Sequence, residues 1–129
     1  HDSLAELLAP EKLKRYQETG AIEVAPLAYM RGRTLKRAFI ILDEAQNTTV
    51  AQMKMFLTRL GTHSKAIITG DASQVDLGKG TVSGLNHAID LLQNIHGIAH
   101  VEFNGTDVLR HRLVKDIIAA YEKNAGQMK

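Results

Sequence analysis

Two places in the chain set carboxylates directly after a short apolar run. Ala38-Phe39-Ile40-Ile41-Leu42 ends in Asp43-Glu44, and Lys65-Ala66-Ile67-Ile68-Thr69 ends in Gly70-Asp71. At such a boundary one carboxylate can hold a divalent cation through water, while a second orients and deprotonates an attacking water. Adjacent side chains diverge on a strand, so Asp43 and Glu44 suit different tasks. Gln46 follows Asp43 by three residues, and Gln74 follows Asp71 by the same spacing. A neutral amide beside carboxylates can hydrogen-bond a water or a phosphate oxygen without adding charge. Plainer accounts stand beside this one: a buried strand running into an acidic loop at 43–44, and a turn capped by Asp71 at 69–74.

The elements that must position these groups follow from periodicity and punctuation. Ser3 and Glu6 have capping-box spacing, and Pro10 is suited to open a second helix that runs to about Thr19 and stops at Gly20. Ala21 to Ala25 reads as a short strand closed by Pro26, and Tyr29 to Leu35 as a basic loop. The uniformly apolar run before Asp43 suits a strand buried on both faces of a parallel sheet, with polar chemistry at its carboxyl end. Thr49-x-x-Gln52 offers a capping box for a helix ending at Gly61. The run at 65–69 is a second strand. Val82, Leu85, Ala88, Ile89 and Leu92 mark a further helix, broken by Gly97. Ala99, Val101 and Phe103 alternate with polar residues as a strand does, and a last helix is expected from near Asp107, with a tail frayed from Asn124. Strands alternating with helices predict an α/β fold with a parallel sheet and right-handed crossovers. The acidic ends at 43–44 and 70–71 then share one edge.

Composition sets the frame. The 129 residues suffice for a single domain with a core, 44% are hydrophobic and 23% charged, and there are no cysteines. Disulfide scaffolds and thiolate metal sites are excluded, and no apolar run is long enough for a membrane span or a signal peptide. A cytoplasmic setting is the expectation. The net charge of +2 permits nucleic-acid contact without arguing for it. The chain opens on His1 rather than Met, which suggests a piece of something longer.

Arg110 falls near the centre of the apolar stripe of Leu113, Val114, Ile117, Ile118 and Tyr121, whereas Arg112 points nearly opposite. A buried guanidinium needs a partner. That partner is either an acidic strand end such as Asp71 or a phosphate. Arg31 and Arg33, with Lys36 and Arg37, could touch nucleic-acid phosphates or simply form a solvated loop. The six histidines show no zinc spacing, since Gly97 breaks the His96–His100 pair. Adjacent Asp43 and Glu44 cannot flank a glycosidic bond.

An apolar strand ending in Asp-Glu has the form of a Walker B motif. Ile40-Ile41-Leu42-Asp43-Glu44-Ala45-Gln46-Asn47 with Thr69-Gly70-Asp71-x-x-Gln74 resembles the PhoH family of P-loop ATPases. Ala25-Pro26-Leu27-Ala28-Tyr29-Met30-Arg31-Gly32-Arg33-Thr34-Leu35 and Asp107-Val108-Leu109-Arg110-His111-Arg112-Leu113-Val114 resemble it too, so that the likeness covers about Leu4 to Tyr121. The first two stretches are also similar to motifs II and III of superfamily-one helicases. The family carries an ATPase core, is associated by name with phosphate starvation, and is linked to RNA metabolism. The resemblance implies Mg²⁺ and ATP as ligands, Asp43 as the Mg²⁺ carboxylate and Glu44 as the catalytic base. It places Gln74 near the γ-phosphate, Gln46, Gly70 and Asp71 about the nucleotide, and Arg110 as a phosphate sensor, acting either within its own subunit or across a subunit boundary.

The family's Walker A loop, G-x-x-x-x-G-K-[ST], does not occur in these residues. Gly78-Lys79-Gly80-Thr81 only imitates it: Ser73 stands at the first glycine position and Gly80 separates Lys79 from the hydroxyl. The expectation is therefore a partial RecA-like P-loop NTPase domain, with a mainly parallel sheet flanked by helices. ATP binding and Mg²⁺-dependent hydrolysis would belong to a longer parent protein, coupled to RNA and working as a homo-oligomer. The alternative is a non-catalytic remnant of that fold that binds RNA or a partner.

Overall fold

The computed structural model describes residues 2–104 and 111–127. His1–Asn94 form one compact unit and Ile95–Lys129 another. In the first, α1 (Asp2–Leu7) precedes α2 (Pro10–Glu18), where Pro10 takes the first turn and so forfeits no helical hydrogen bond. Leu13 is the buried residue of α2.

The strand expected at Ala21–Ala25 does not form. A strand exists only through a ladder, and these residues have none. Ile22 N–H turns back to donate to the Tyr16 carbonyl at 3.0 Å, and Val24 is exposed. A 3-10 turn at Leu27–Met30 follows.

β1 (Phe39–Leu42) and β2 (Lys65–Ile68) pair in parallel, in the register Phe39↔Lys65 to Leu42↔Ile68. Between them lie a 3-10 turn (Ala45–Asn47) and α3 (Val50–Leu57). The predicted capping box is present: Thr49 Oγ1 accepts from Gln52 N at 3.2 Å, and Thr49 N donates to Gln52 Oε1 at 2.9 Å. α3 ends at Leu57, earlier than Gly61, with Thr58 Oγ1 donating to the Lys54 carbonyl at 2.8 Å. Ahead of the ladder, a single parallel bridge joins Leu35 to Leu60. α4 (Gly84–Leu91) closes the unit, with Ser83 Oγ accepting from Asn86 N.

The α/β class and the parallel pairing agree with the sequence, and this is the layout of a partial P-loop-NTPase-like domain. The covering of the sheet does not agree. Ile40, Leu42, Ala66 and Ile68 are half-buried, but Phe39 is 81% exposed and Ile41 69% exposed. Parallel sheets bury both faces by laying helices on each. This pair is covered on one face only, so its apolar run alternates in burial although it does not alternate in sequence. The core lies beside the strands, where Ala45, Met53 and Phe56 are buried and α4 packs on both α3 and the turn at Ala45–Asn47.

In the second unit the strand expected at Ala99–Phe103 is also absent, and Val101 and Phe103 are exposed. Alternation there gives the chain a strand-like pattern, but no partner strand completes it among the described residues. α5 spans Arg112–Gln127 (the start expected near Asp107 lies outside the described residues). Just ahead of α5, His111 Nδ1 accepts from Leu113 N at 3.1 Å, and the His111 carbonyl accepts from Lys115 N at 3.1 Å. The imidazole thus satisfies one of the free N–H groups of the first turn. The helix also continues past Asn124, where fraying was expected.

Candidate functional site

The register decides the central question of position. Leu42 pairs with Ile68, so the two strands release their acidic ends side by side. Thr69 N donates to the Leu42 carbonyl at 2.9 Å, and Ala45 N donates to the Thr69 carbonyl at 3.0 Å. These two bonds carry the ladder past the last strand residues and hold 43–45 against 69.

Asp43 and Glu44 are both exposed at this edge. Asp43 Oδ1 accepts from Thr69 Oγ1 at 2.8 Å and from Glu44 N at 2.9 Å. The carboxylate is held through one oxygen. Glu44 has left-handed backbone angles, φ 53° and ψ 39°. An L-residue carries a steric cost there, which the surrounding bonds must offset. The reversal turns the chain sharply, so Glu44 is thrown aside from Asp43 more than strand pleating alone would do.

Gln46 is 2% exposed, and both ends of its amide are engaged. Nε2 donates to Glu44 Oε2 at 2.6 Å, and Oε1 accepts from Asp71 N at 3.2 Å. Gly70 makes room for it: a Cβ there would lie 2.6 Å from Gln46 Oε1 and 2.9 Å from Leu85 Cδ2. Asp71 Oδ1 accepts from Ser73 N at 2.9 Å and Ser73 Oγ at 2.6 Å, the turn-capping role that sequence allowed for it. Gln74 is exposed, with its N–H donating to the Asp71 carbonyl at 3.1 Å.

Three further residues brace the site. Asn47 Oδ1 accepts from Asp76 N at 2.8 Å, tying the turn to the loop after β2. Ser83 Oγ donates to the Gln46 carbonyl at 2.8 Å and also caps α4. Thr69 holds Asp43. The spacing Ser83-x-x-Asn86 signals a helix cap in sequence, but its second bond to Gln46 spans 37 residues and has no local signature.

The structure thus brings together Asp43, Glu44, Gln46, Gly70 and Asp71, with Gln74 on the adjoining turn. Arg110 lies outside the described residues. Arg112 is exposed and pairs with Asp116 at 3.8 Å, consistent with its solvent-facing position. Arg31 and Arg33 sit elsewhere in the chain, on the loop after Leu27–Met30. Arg31 is exposed, whereas Arg33 makes a two-pronged pair with Glu23, at 2.9 and 3.1 Å. The hydrogen bonds and charge of Arg33 pull the Glu23 carboxyl below its ordinary value, and Glu23 in turn raises the guanidinium.

Among the described residues no group of three or more His, Cys, Asp or Glu side chains could enclose a metal. One carboxylate held through a single oxygen, as at Asp43, nevertheless fits Mg²⁺. That ion keeps several waters and takes few protein oxygens when phosphates supply the rest.

The PhoH-like protein family model matches residues 1–122. The chain belongs to the PhoH-like family. Over 123 residues it is 60% identical to a PhoH-like protein of Bacillus subtilis, covering 95% of this chain and 39% of that protein. A PhoH-like protein of Mycobacterium tuberculosis is 55% identical over 123 residues, covering 95% of this chain and 35% of that protein. Protein PhoH of Escherichia coli K12 is 48% identical over 104 residues, or 81% of this chain and 29% of that protein. The chain therefore spans well under half the length of these PhoH-like relatives. No helix among the described residues is long and apolar enough to cross a membrane.

Proposed function

We propose that this PhoH-like chain carries the hydrolytic half of an ATP site, and that the longer protein binds ATP with Mg²⁺ and hydrolyses it. The observation that carries this reading is the parallel register of Leu42 with Ile68, which brings two acidic strand ends to one sheet edge where Thr69 donates to Asp43. Asp43 is the residue to hold Mg²⁺, which when bound would neutralise phosphate charge. Glu44 takes a proton from the attacking water as its oxygen bonds to the γ-phosphorus. The bond to the bridging oxygen breaks, and ADP and phosphate leave. Gln74 is exposed on the turn beyond Asp71, where its amide is open to a phosphate oxygen. Arg110 completes the charge balance, and the protein works as a homo-oligomer acting on RNA, with Arg31 the exposed contact.

The test is turnover of Mg²⁺-ATP by the full-length protein and by residues 1–129 alone. Full-length protein should hydrolyse ATP, and residues 1–129 should not, because they hold no phosphate-cradling loop. In the full-length protein Glu44→Gln should keep nucleotide binding and lose hydrolysis, and Asp43→Asn should weaken the Mg²⁺ dependence of binding. Equal turnover by wild type and Glu44→Gln would remove Glu44 as the base. Arg110→Ala should abolish turnover where Arg112→Ala spares it.

A further inference from the structure

A fully buried carboxamide is the largest wholly enclosed side chain in the described structure. Burying an amide costs free energy unless each end finds a partner. Gln46 finds two, and they differ in kind. Glu44 Oε2 only accepts, and Asp71 N–H only donates, so the pair fixes which end of the amide points where. Neither end is left to reach a ligand. The backbone carbonyl of Gln46 is held as well, by Ser83 Oγ at 2.8 Å. Gly70 is shaped around Oε1, since any side chain there would collide with it.

We propose that Gln46 is a positioning residue, whose amide ties the Glu44 carboxylate to the Gly70–Asp71 turn so that the two acidic strand ends hold one geometry. This rests on the reading of Glu44 as the base in ATP hydrolysis. Gln46 acts through Glu44 and through the turn, and does not itself touch nucleotide. Donation from Nε2 holds one oxygen of the Glu44 carboxylate in place. Gln46→Met removes that tether while keeping much of the volume, and Gln46→Glu sets a second carboxylate against the first.

The experiment uses full-length protein with Mg²⁺-ATP and three variants, Gln46→Met, Gln46→Glu and Gly70→Ala. For each, kcat and KM are measured, with binding of a non-hydrolysable ATP analogue and the urea midpoint as controls. Gln46→Met should lower kcat about tenfold or more, the scale of a lost hydrogen bond to a charged group. KM and analogue affinity should change little. Gln46→Glu should lower kcat at least as far, because a second carboxylate in contact with the first would push Glu44 out of place. If Gln46→Glu fails to fold, Gln46→Met and Gly70→Ala decide, the latter by crowding Oε1 while leaving the amide in place. A folded Gln46→Met with wild-type kcat overturns the proposal. So does a loss of kcat matched by equal losses of analogue affinity and of the urea midpoint, which would mean packing alone. Wild-type turnover in Glu44→Gln would instead overturn the assignment of the base, and so is a separate result.

Discussion

Thr69 Oγ1 lies 2.8 Å from Asp43 Oδ1, across 26 residues of sequence, and fixes the orientation of a carboxylate at the end of the neighbouring strand. Thr69→Val keeps the shape and removes the donor. In the full-length protein this should weaken apparent Mg²⁺ affinity in ATP turnover by about fivefold to tenfold, equivalent to about 1–1.5 kcal/mol. Thr69→Ser should retain most of it. A Mg²⁺ titration of turnover reads the effect, and an unchanged midpoint in Thr69→Val would show that the bond is incidental.

The left-handed backbone at Glu44 predicts an ordering among side-chain deletions. Glu44→Ala and Glu44→Gly both lose the bond from Gln46, so their difference isolates the backbone. Glycine escapes the steric cost of this conformation but has more freedom to lose on folding. The first term is the larger, and Glu44→Gly should be more stable than Glu44→Ala by about 0.5–1 kcal/mol in urea unfolding. Equal stability would mean that the turn relaxes when the side chain goes.

Gly84 packs against the backbone that enters α3. A Cβ there would collide with the Thr49 carbonyl and lie 2.6 Å from Thr48 Oγ1. The neighbouring Gly84 N–H donates to the Thr48 carbonyl at 2.6 Å, so there is no slack in the backbone. Gly84→Ala should cost about 1–3 kcal/mol, the range for overpacking a tight site, read as a lower urea midpoint at unchanged slope.

Thr49 caps α3 reciprocally with Gln52. Thr49→Ala should lose about 1 kcal/mol and Thr49→Ser very little, again by urea unfolding. A larger loss in Thr49→Ala than in Gly84→Ala would mean that the cap matters more to this unit than the close approach at Gly84.

The pair of Glu23 and Arg33 sets a pH dependence of known sign. Glu23 has a folded-state pKa below its ordinary value, so its contribution is present above the ordinary carboxylate range. It is lost as pH falls through the lowered value. Both groups are exposed, so salt should erase the difference between wild type and Glu23→Gln at neutral pH. A difference that survives high salt would point to a role for this pair beyond simple attraction.

Sequence disclosed what local pattern encodes. The two apolar runs became paired strands, and Thr49-x-x-Gln52 became a reciprocal cap. Asp43 and Asp71 came to one edge because parallel strands leave no other choice. What stayed hidden depended on distant partners. The Gln46 amide looks like a ligand-facing group until Asp71, 25 residues on, is seen to occupy it. Arg33 looks like part of a basic patch until Glu23 pairs with it. The runs at 21–25 and 99–103 carry strand residues, but a strand is a property of two segments, and periodicity describes one. The His111 imidazole accepts a bond in the first turn of α5, a role the usual list of capping residues omits.

The uncovered face of the sheet has a consequence for handling. Phe39, Ile41 and Ile67 stand exposed on one side of a pair whose outer edges meet no further strand among the described residues. Apolar attraction of this kind strengthens on warming and in sulfate, and weakens on cooling. Residues 1–129 alone should therefore cloud when heated or salted and clear again in the cold, well before any helix melts.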